Sequence, residues 1–134
     1  MDLVVFAYPV ASPFDSGDGG LCLAASCAAH LRTLEGVTRG PLGKRLMVFG
    51  VSQQSWLVQE ELAARLGITF TLVSDITGIV KDMFGLKTKR LGRRDRLVPT
   101  LLLLSGAIEI QRYEGPELNH LDLGQAISTA YHHR

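Results

Sequence analysis

Leu3 to Tyr8 is an unbroken apolar run that ends at Pro9, the pattern of a buried strand whose exit the proline holds extended. Periodicity then vanishes over residues 10–20, where Ser12, Pro13, Asp15, Ser16, Gly17, Asp18, Gly19 and Gly20 compose a long loop. From about Cys22 to Glu35, the positions Leu23, Cys27, Leu31 and Leu34 recur at helical spacing, and Gly36 supplies a stop. Leu46 to Val51 reads as a second buried strand. Val58, Leu62 and Leu66 then form the stripe of a helix with Ser55 as its N-cap and Gly67 as its end. A third strand fits Ile68 to Val73, followed by a helix capped by Asp75, carrying Ile79, Val80, Met83 and Phe84, and stopped by Gly85.

A basic stretch at 87–96, with Lys87, Lys89, Arg90, Arg93, Arg94 and Arg96, interrupts this rhythm and reads as a solvated loop, the rival reading being a patch that steers an anionic substrate, a redox partner or nucleic acid to the site. Beyond it, Thr100 to Leu104 and Ala107 to Arg112 flank Ser105-Gly106, a two-residue link suited to an antiparallel hairpin, and a last helix runs from Asp122 to about Tyr131. Strands alternating with helices, then a hairpin and a closing helix, predict an α/β fold: a mixed central sheet in a three-layer α/β/α arrangement of the thioredoxin type. At 134 residues, 46% of them hydrophobic, the chain is expected to be one domain, 1–134, with a core that needs no disulfide or metal staple. No internal repeat or low-complexity segment breaks that pattern.

Charge changes the picture only by exclusion. A net charge of +1 with 20% charged residues gives no global pull toward nucleic acid or a membrane surface. The start places Asp2 where a signal peptide needs positive charge, and no apolar stretch approaches membrane-spanning length, so a soluble, cytoplasmic protein is expected. Neither G-x4-G-K-[ST] nor G-x-G-x-x-G follows a strand, which removes support for nucleotide enzymes. His30, His120, His132 and His133 lack ligand spacing, so no metal is expected. Trp56 is expected to pack its ring against the sheet.

The two cysteines carry the candidate chemistry. With no export signal and too few partners for zinc, they leave either redox chemistry or simple burial. Cys22 falls in the first turn of a helix, where unpaired backbone N–H groups and the positive end of the helix dipole favour thiolate over thiol. Cys27 lies on the apolar stripe, five residues on, which corresponds to about 7.5 Å of rise and about 140° of rotation. Their Cα atoms would then sit roughly 8 to 9 Å apart, too far for a disulfide, so pairing within one chain requires the first helical turns to unwind. From the spacing alone, a buried core thiol at Cys27 and an ordinary loop-side thiol at Cys22 remain open.

An ordered set of segments resembles the middle of peroxiredoxins: Val48-Phe-Gly-Val-Ser-Gln-Gln, Gln59-Glu-Glu-Leu-Ala-Ala-Arg-Leu-Gly67, Ile-Thr-Phe70, Leu72-Val-Ser-Asp75 and Met83-Phe-Gly-Leu86. Tyr8-Pro9 after the first strand and the C-x4-C of Cys22 and Cys27 are similar to the peroxiredoxin Q, or bacterioferritin-comigratory, branch. The resemblance runs from residue 3 to about 112. It implies a thiol-dependent peroxidase in which Cys22 is the peroxidatic and Cys27 the resolving cysteine. It further implies a hydroperoxide substrate, re-reduction by a thioredoxin-like or other dithiol donor, and no metal or organic cofactor. Neither nucleic acid nor a membrane is expected as a partner, and the chain is expected to be a monomer or a homodimer.

Several positions depart from the family pattern. Gly19 stands where the family has threonine three residues before the peroxidatic cysteine, with Ser16 as the candidate replacement. Asp15 to Gly20 lengthens the Pro-to-Cys connection, and with the first strand at Leu3 the family's N-terminal hairpin is expected to be missing. Val98 occupies the arginine's position, with Arg96 two residues earlier as the nearest substitute. Val98-Pro99-Thr100 resembles the thioredoxin loop whose proline faces the redox cysteine, with the cis or trans state of Pro99 open. The candidate site is therefore Cys22, Cys27 and Arg96, with Ser16 and Pro99 toward the substrate. Two rival readings are a peroxiredoxin-like binding or redox-sensing domain without activity, and a dithiol oxidoreductase that would lack C-x-x-C.

Overall fold

Seven strands and four helices make up the computed structural model, which describes residues 2–9, 21–91 and 93–131, and of residues 21–26, 91 and 94 the backbone only. In chain order these are β1 (Asp2–Ala7), α1 (Leu21–Arg39), β2 (Leu46–Ser52), α2 (Trp56–Leu66), β3 (Thr71–Ser74), α3 (Ile79–Phe84), β4 (Thr88–Leu91), β5 (Arg94–Leu97), β6 (Thr100–Ser105), β7 (Ile108–Glu114) and α4 (Leu123–Tyr131). Short 3-10 helices span Pro41–Lys44 and Gly115–His120.

The main sheet has the order β3-β2-β1-β6-β7. β1 is parallel to β2 and β2 to β3, whereas β6 runs antiparallel to β1 and β7 to β6. β1 is central and covered on both faces, which is why its sequence is continuously apolar rather than alternating. Val4, Phe6 and Tyr8 point into one core layer with Leu31 and Leu34 of α1, Leu62 of α2 and Ile127 and Tyr131 of α4. Val5 and Ala7 point into the other, with Leu86, Leu97, and Val80 and Phe84 of α3. The Tyr131 hydroxyl ties α4 to the sheet, within 3.1 Å of the Leu3 carbonyl and 2.9 Å of the Leu104 carbonyl. This is the three-layer thioredoxin-type arrangement that the segment order predicts.

Several expectations change in detail. Gly36 does not stop α1, which continues to Arg39 and ends before Gly40-Pro41. A helical glycine costs only about 1 kcal/mol, and the next turn offsets it. Arg39 Nε lies 2.7 Å from Glu35 Oε2, the Thr38 hydroxyl lies 3.0 Å from the Leu34 carbonyl, and Val37 packs on the core. In α2, Ser55 Oγ accepts from the Val58 N–H at 3.3 Å and Gly67 adopts a left-handed φ of 70°, as its cap roles require. Val58 itself is exposed; the buried stripe is Gln59 and Leu62, because the Gln59 amide finds partners. β3 begins at Thr71 rather than Ile68, since Gly67 and the Ile68 N–H bond to Ala63 close the helix first, although Ile68 and Phe70 remain buried.

Asp75 caps α3 as expected, its carboxylate accepting from the Val80 and Lys81 N–H groups at 3.0 and 2.8 Å. Ile79 and Met83 face outward. The stretch 87–96 is not a loop but the hairpin β4–β5, in register Lys89↔Arg96 and Arg90↔Asp95. Its alternation is carried by cations, which hides it from a hydrophobic reading. The β6–β7 link is Gly106-Ala107, one residue later than expected, with Gly106 at φ 60°. Trp56 does not pack on the sheet; it is 63% exposed at the start of α2.

Candidate active site

Tyr8 and Pro9 leave β1 at the same end of the sheet where Pro99 enters β6 and Gly115 leaves β7, because Ala7 pairs with Thr100 and Thr100 with Glu114. The Gly115 N–H bonds the Pro99 carbonyl at 2.8 Å and closes that end. A cavity of about 210 Å³ opens there, between α1, the β4–β5 hairpin and the 3-10 helix after β7. Pro9, Leu97, Val98, Pro99, Pro116 and Leu118 give it apolar walls, and Cys27, His30, Lys89, Arg96 and Asn119 give it its functional groups.

Tyr8 is fully buried and stacks on Phe6, with ring centroids 5.6 Å apart. Its hydroxyl donates to Gln59 Oε1, and Gln59 Nε2 in turn donates to the Val73 carbonyl at 2.6 Å. This chain supplies partners for a tyrosine and a glutamine inside the core. Burial raises the Tyr8 pKa, and the neighbouring Cys27 adds to it. Gly50 leaves the space, since a Cβ there would lie 2.5 Å from Leu72 Cδ2 and 3.3 Å from Tyr8 Cε1.

Cys27 is 1% exposed and its thiol is pushed up to about 12 by burial. His30, three residues further along α1, is half-buried and meets Phe6 edge-on at 84°. Burial lowers its pKa, with the Leu118 backbone partly opposing. Among the described residues, its buried Nδ1 has no hydrogen-bond partner. Among the described residues, the side chains of Lys89 and Arg96 form no ion pair or hydrogen bond, although they sit directly opposite each other in the hairpin.

No family model matches this sequence, and no curated protein matches it. Solved structures do. A cysteine-to-serine variant of Xanthomonas campestris peroxiredoxin Q is 21% identical, with 98% of this chain and 78% of that chain covered at a TM-score of 0.71. A cysteine-to-serine variant of Xylella fastidiosa PrxQ is 17% identical, covering 99% of this chain and 78% of that one at 0.76. The Xanthomonas campestris bacterioferritin comigratory protein, described by its alkyl peroxide reduction activity, is 20% identical, covering 98% and 79% at 0.72. The chain has the peroxiredoxin fold.

On this peroxiredoxin scaffold, three of the five sequence-predicted residues, Cys27, Arg96 and Pro99, line one cavity. Cys22 is the second residue of α1, so Cys27 lies five positions further along one continuous helix; the Cys22 side chain and the whole of Ser16 lie outside the described residues. Pro99 is trans, as is every peptide bond among the described residues. Val98 also lines the cavity, and Arg96 reaches the same space from β5. His30 and Asn119 are not foreseen from the sequence as site residues, and Lys89 is foreseen only as part of the basic run. His30 carries one usable signal, its i+3 spacing from Cys27 on the inward face of a helix. Among the described residues, no group of three potential metal ligands occurs, and no helix is long and apolar enough to cross a membrane.

Proposed function

We propose that the chain is a thiol peroxidase that uses Cys22 as its peroxidatic and Cys27 as its resolving cysteine. The Cys22 thiolate attacks the terminal oxygen of a hydroperoxide, the O–O bond breaks, and the leaving alkoxide takes a proton to depart as alcohol or, from hydrogen peroxide, water. Cys22 is then a sulfenic acid. The Cys27 thiol displaces its hydroxyl as water and forms a disulfide, which a thioredoxin-like or other dithiol donor reduces while itself becoming a disulfide. Arg96 supplies positive charge for the leaving oxygen, and Pro99 borders the substrate.

The observation that carries this reading is the single cavity gathering Cys27, Arg96 and Pro99 beside α1, the helix whose second residue is Cys22. The helix start favours the Cys22 thiolate, whereas burial keeps Cys27 protonated. That division suits an attacking thiolate and a resolving thiol that reacts only after local opening. The test is dithiol-dependent consumption of hydrogen peroxide and cumene hydroperoxide. Loss of turnover in Cys22→Ser, with Cys27→Ser retaining one turnover per chain, supports the assignment, whereas equal turnover in Cys22→Ser overturns it.

A second reading is an inactive binding or redox-sensing domain, favoured by Val98 lining the cavity where the family carries arginine. It expects no peroxide consumption by the wild-type protein.

A further inference from the structure

The β4–β5 hairpin sets Lys89 directly opposite Arg96, and both line the cavity. Like charges opposed across a hairpin repel and destabilise the pair unless an anion lies between them. The chain offers neither of them a described counterion. Asp95 lies 3.9 Å from Arg90, and Glu114 lies 3.3 Å from Lys87 and 3.9 Å from Arg112. Glu117 is turned to the Glu114 N–H at 3.4 Å. One cation is enough to polarise a neutral hydroperoxide; the second has no role in the proposed chemistry.

The remainder of the cavity is apolar. Leu97, Val98, Pro99, Pro116 and Leu118 form its walls, and the volume of about 210 Å³ exceeds the roughly 150 Å³ that accepts a benzene molecule in an apolar cavity. There is room for an aryl ring or short acyl chain together with a head group.

We propose that Lys89 and Arg96 are the head-group site for a small carboxylate whose aryl or short acyl body fills this cavity. A planar carboxylate bridges the guanidinium and the ammonium with charge-assisted hydrogen bonds, while its body replaces water along the apolar walls. The occupant is a carboxylated hydroperoxide, which rests on the peroxidase reading, or an unreactive acid that blocks the same space, which does not.

Binding of 3-phenylpropionate and of its methyl ester to the reduced protein is measured by calorimetry, with circular dichroism to verify the fold of each variant. The expected result is at least tenfold tighter binding of the acid, an advantage lost in Lys89→Ala and in Arg96→Ala and weakened by salt. Equal binding of acid and ester, no binding of the acid at millimolar concentration, or an undiminished advantage in both folded variants overturns the proposal. Turnover of an aryl hydroperoxide bearing a carboxylate, against its methyl ester, separates the two sources. A kcat/KM ratio of ten or more that falls in Lys89→Ala identifies a substrate site. Selective acid binding without consumption of either peroxide identifies a site for an unreactive acid and contradicts the peroxidase reading while upholding this one.

Discussion

Replacing Cys22 by Ser leaves Cys27 as the only thiol and isolates its reactivity. With its pKa pushed up to about 12, Cys27 at pH 7.5 is thiolate to about 3 parts in 100,000, since each unit below the pKa is a factor of ten. An unperturbed cysteine with a pKa near 8.5 is about one-tenth thiolate at the same pH, so the ratio is about 3,000. At 1% exposure, steric exclusion adds to this factor. Labelling of native Cys22→Ser by Ellman's reagent is therefore expected to be at least 1,000-fold slower than that of a free cysteine, the order set by this ratio, and normal in urea. A native rate within tenfold of free cysteine would refute the burial of Cys27.

Three further outcomes follow from the packing. Gln59→Leu removes both partners of the chain from Tyr8 to Val73 and leaves a hydroxyl and a carbonyl unsatisfied inside the protein, a loss of roughly 2–3 kcal/mol seen as a lowered urea midpoint; an unchanged midpoint would contradict it. Burial opposes the Glu35 charge, yet the Thr69 N–H, Arg39 and the Thr69 hydroxyl hold its pKa below the ordinary carboxylate value. Its stabilisation is thus present above that value and is lost as pH falls through the lower folded one, so Glu35→Gln should flatten the acid limb of stability against pH; parallel limbs would contradict the sign. Gly36→Ala places a methyl group where nothing lies within 4 Å in mid-helix and should stabilise the protein by about 0.5–1 kcal/mol in the same denaturation assay.

The central strand, the four helices and the final hairpin were legible because each carries a strong period or a cap with a physical role: Pro9 after β1, Ser55 and Gly67 around α2, Asp75 before α3. The β4–β5 hairpin was not legible, because Lys89, Arg90, Arg93 and Arg96 mask the alternation that places Leu97 in the core. The exposed positions of Val58, Trp56 and Met83 were also hidden, since an apolar residue at helical spacing says nothing of whether a neighbour covers it. Within the site, Cys27, Arg96 and Pro99 were named from sequence and a resemblance, and they line one cavity. Lys89 and Asn119 reach that cavity only through the hairpin register and the turn after β7, which no local pattern encodes.

In the proposed cycle Cys22 is a peroxide-reactive thiolate. One equivalent of hydrogen peroxide is added to the reduced protein and to its Cys22→Ser and Cys27→Ser variants, and thiol state is followed by mass spectrometry. Rapid loss of two hydrogens in the wild type as a Cys22–Cys27 disulfide is expected, with gain of one oxygen at Cys22 in Cys27→Ser and no rapid change in Cys22→Ser. A Cys22 thiol that stays reduced in both the wild type and Cys27→Ser would contradict it.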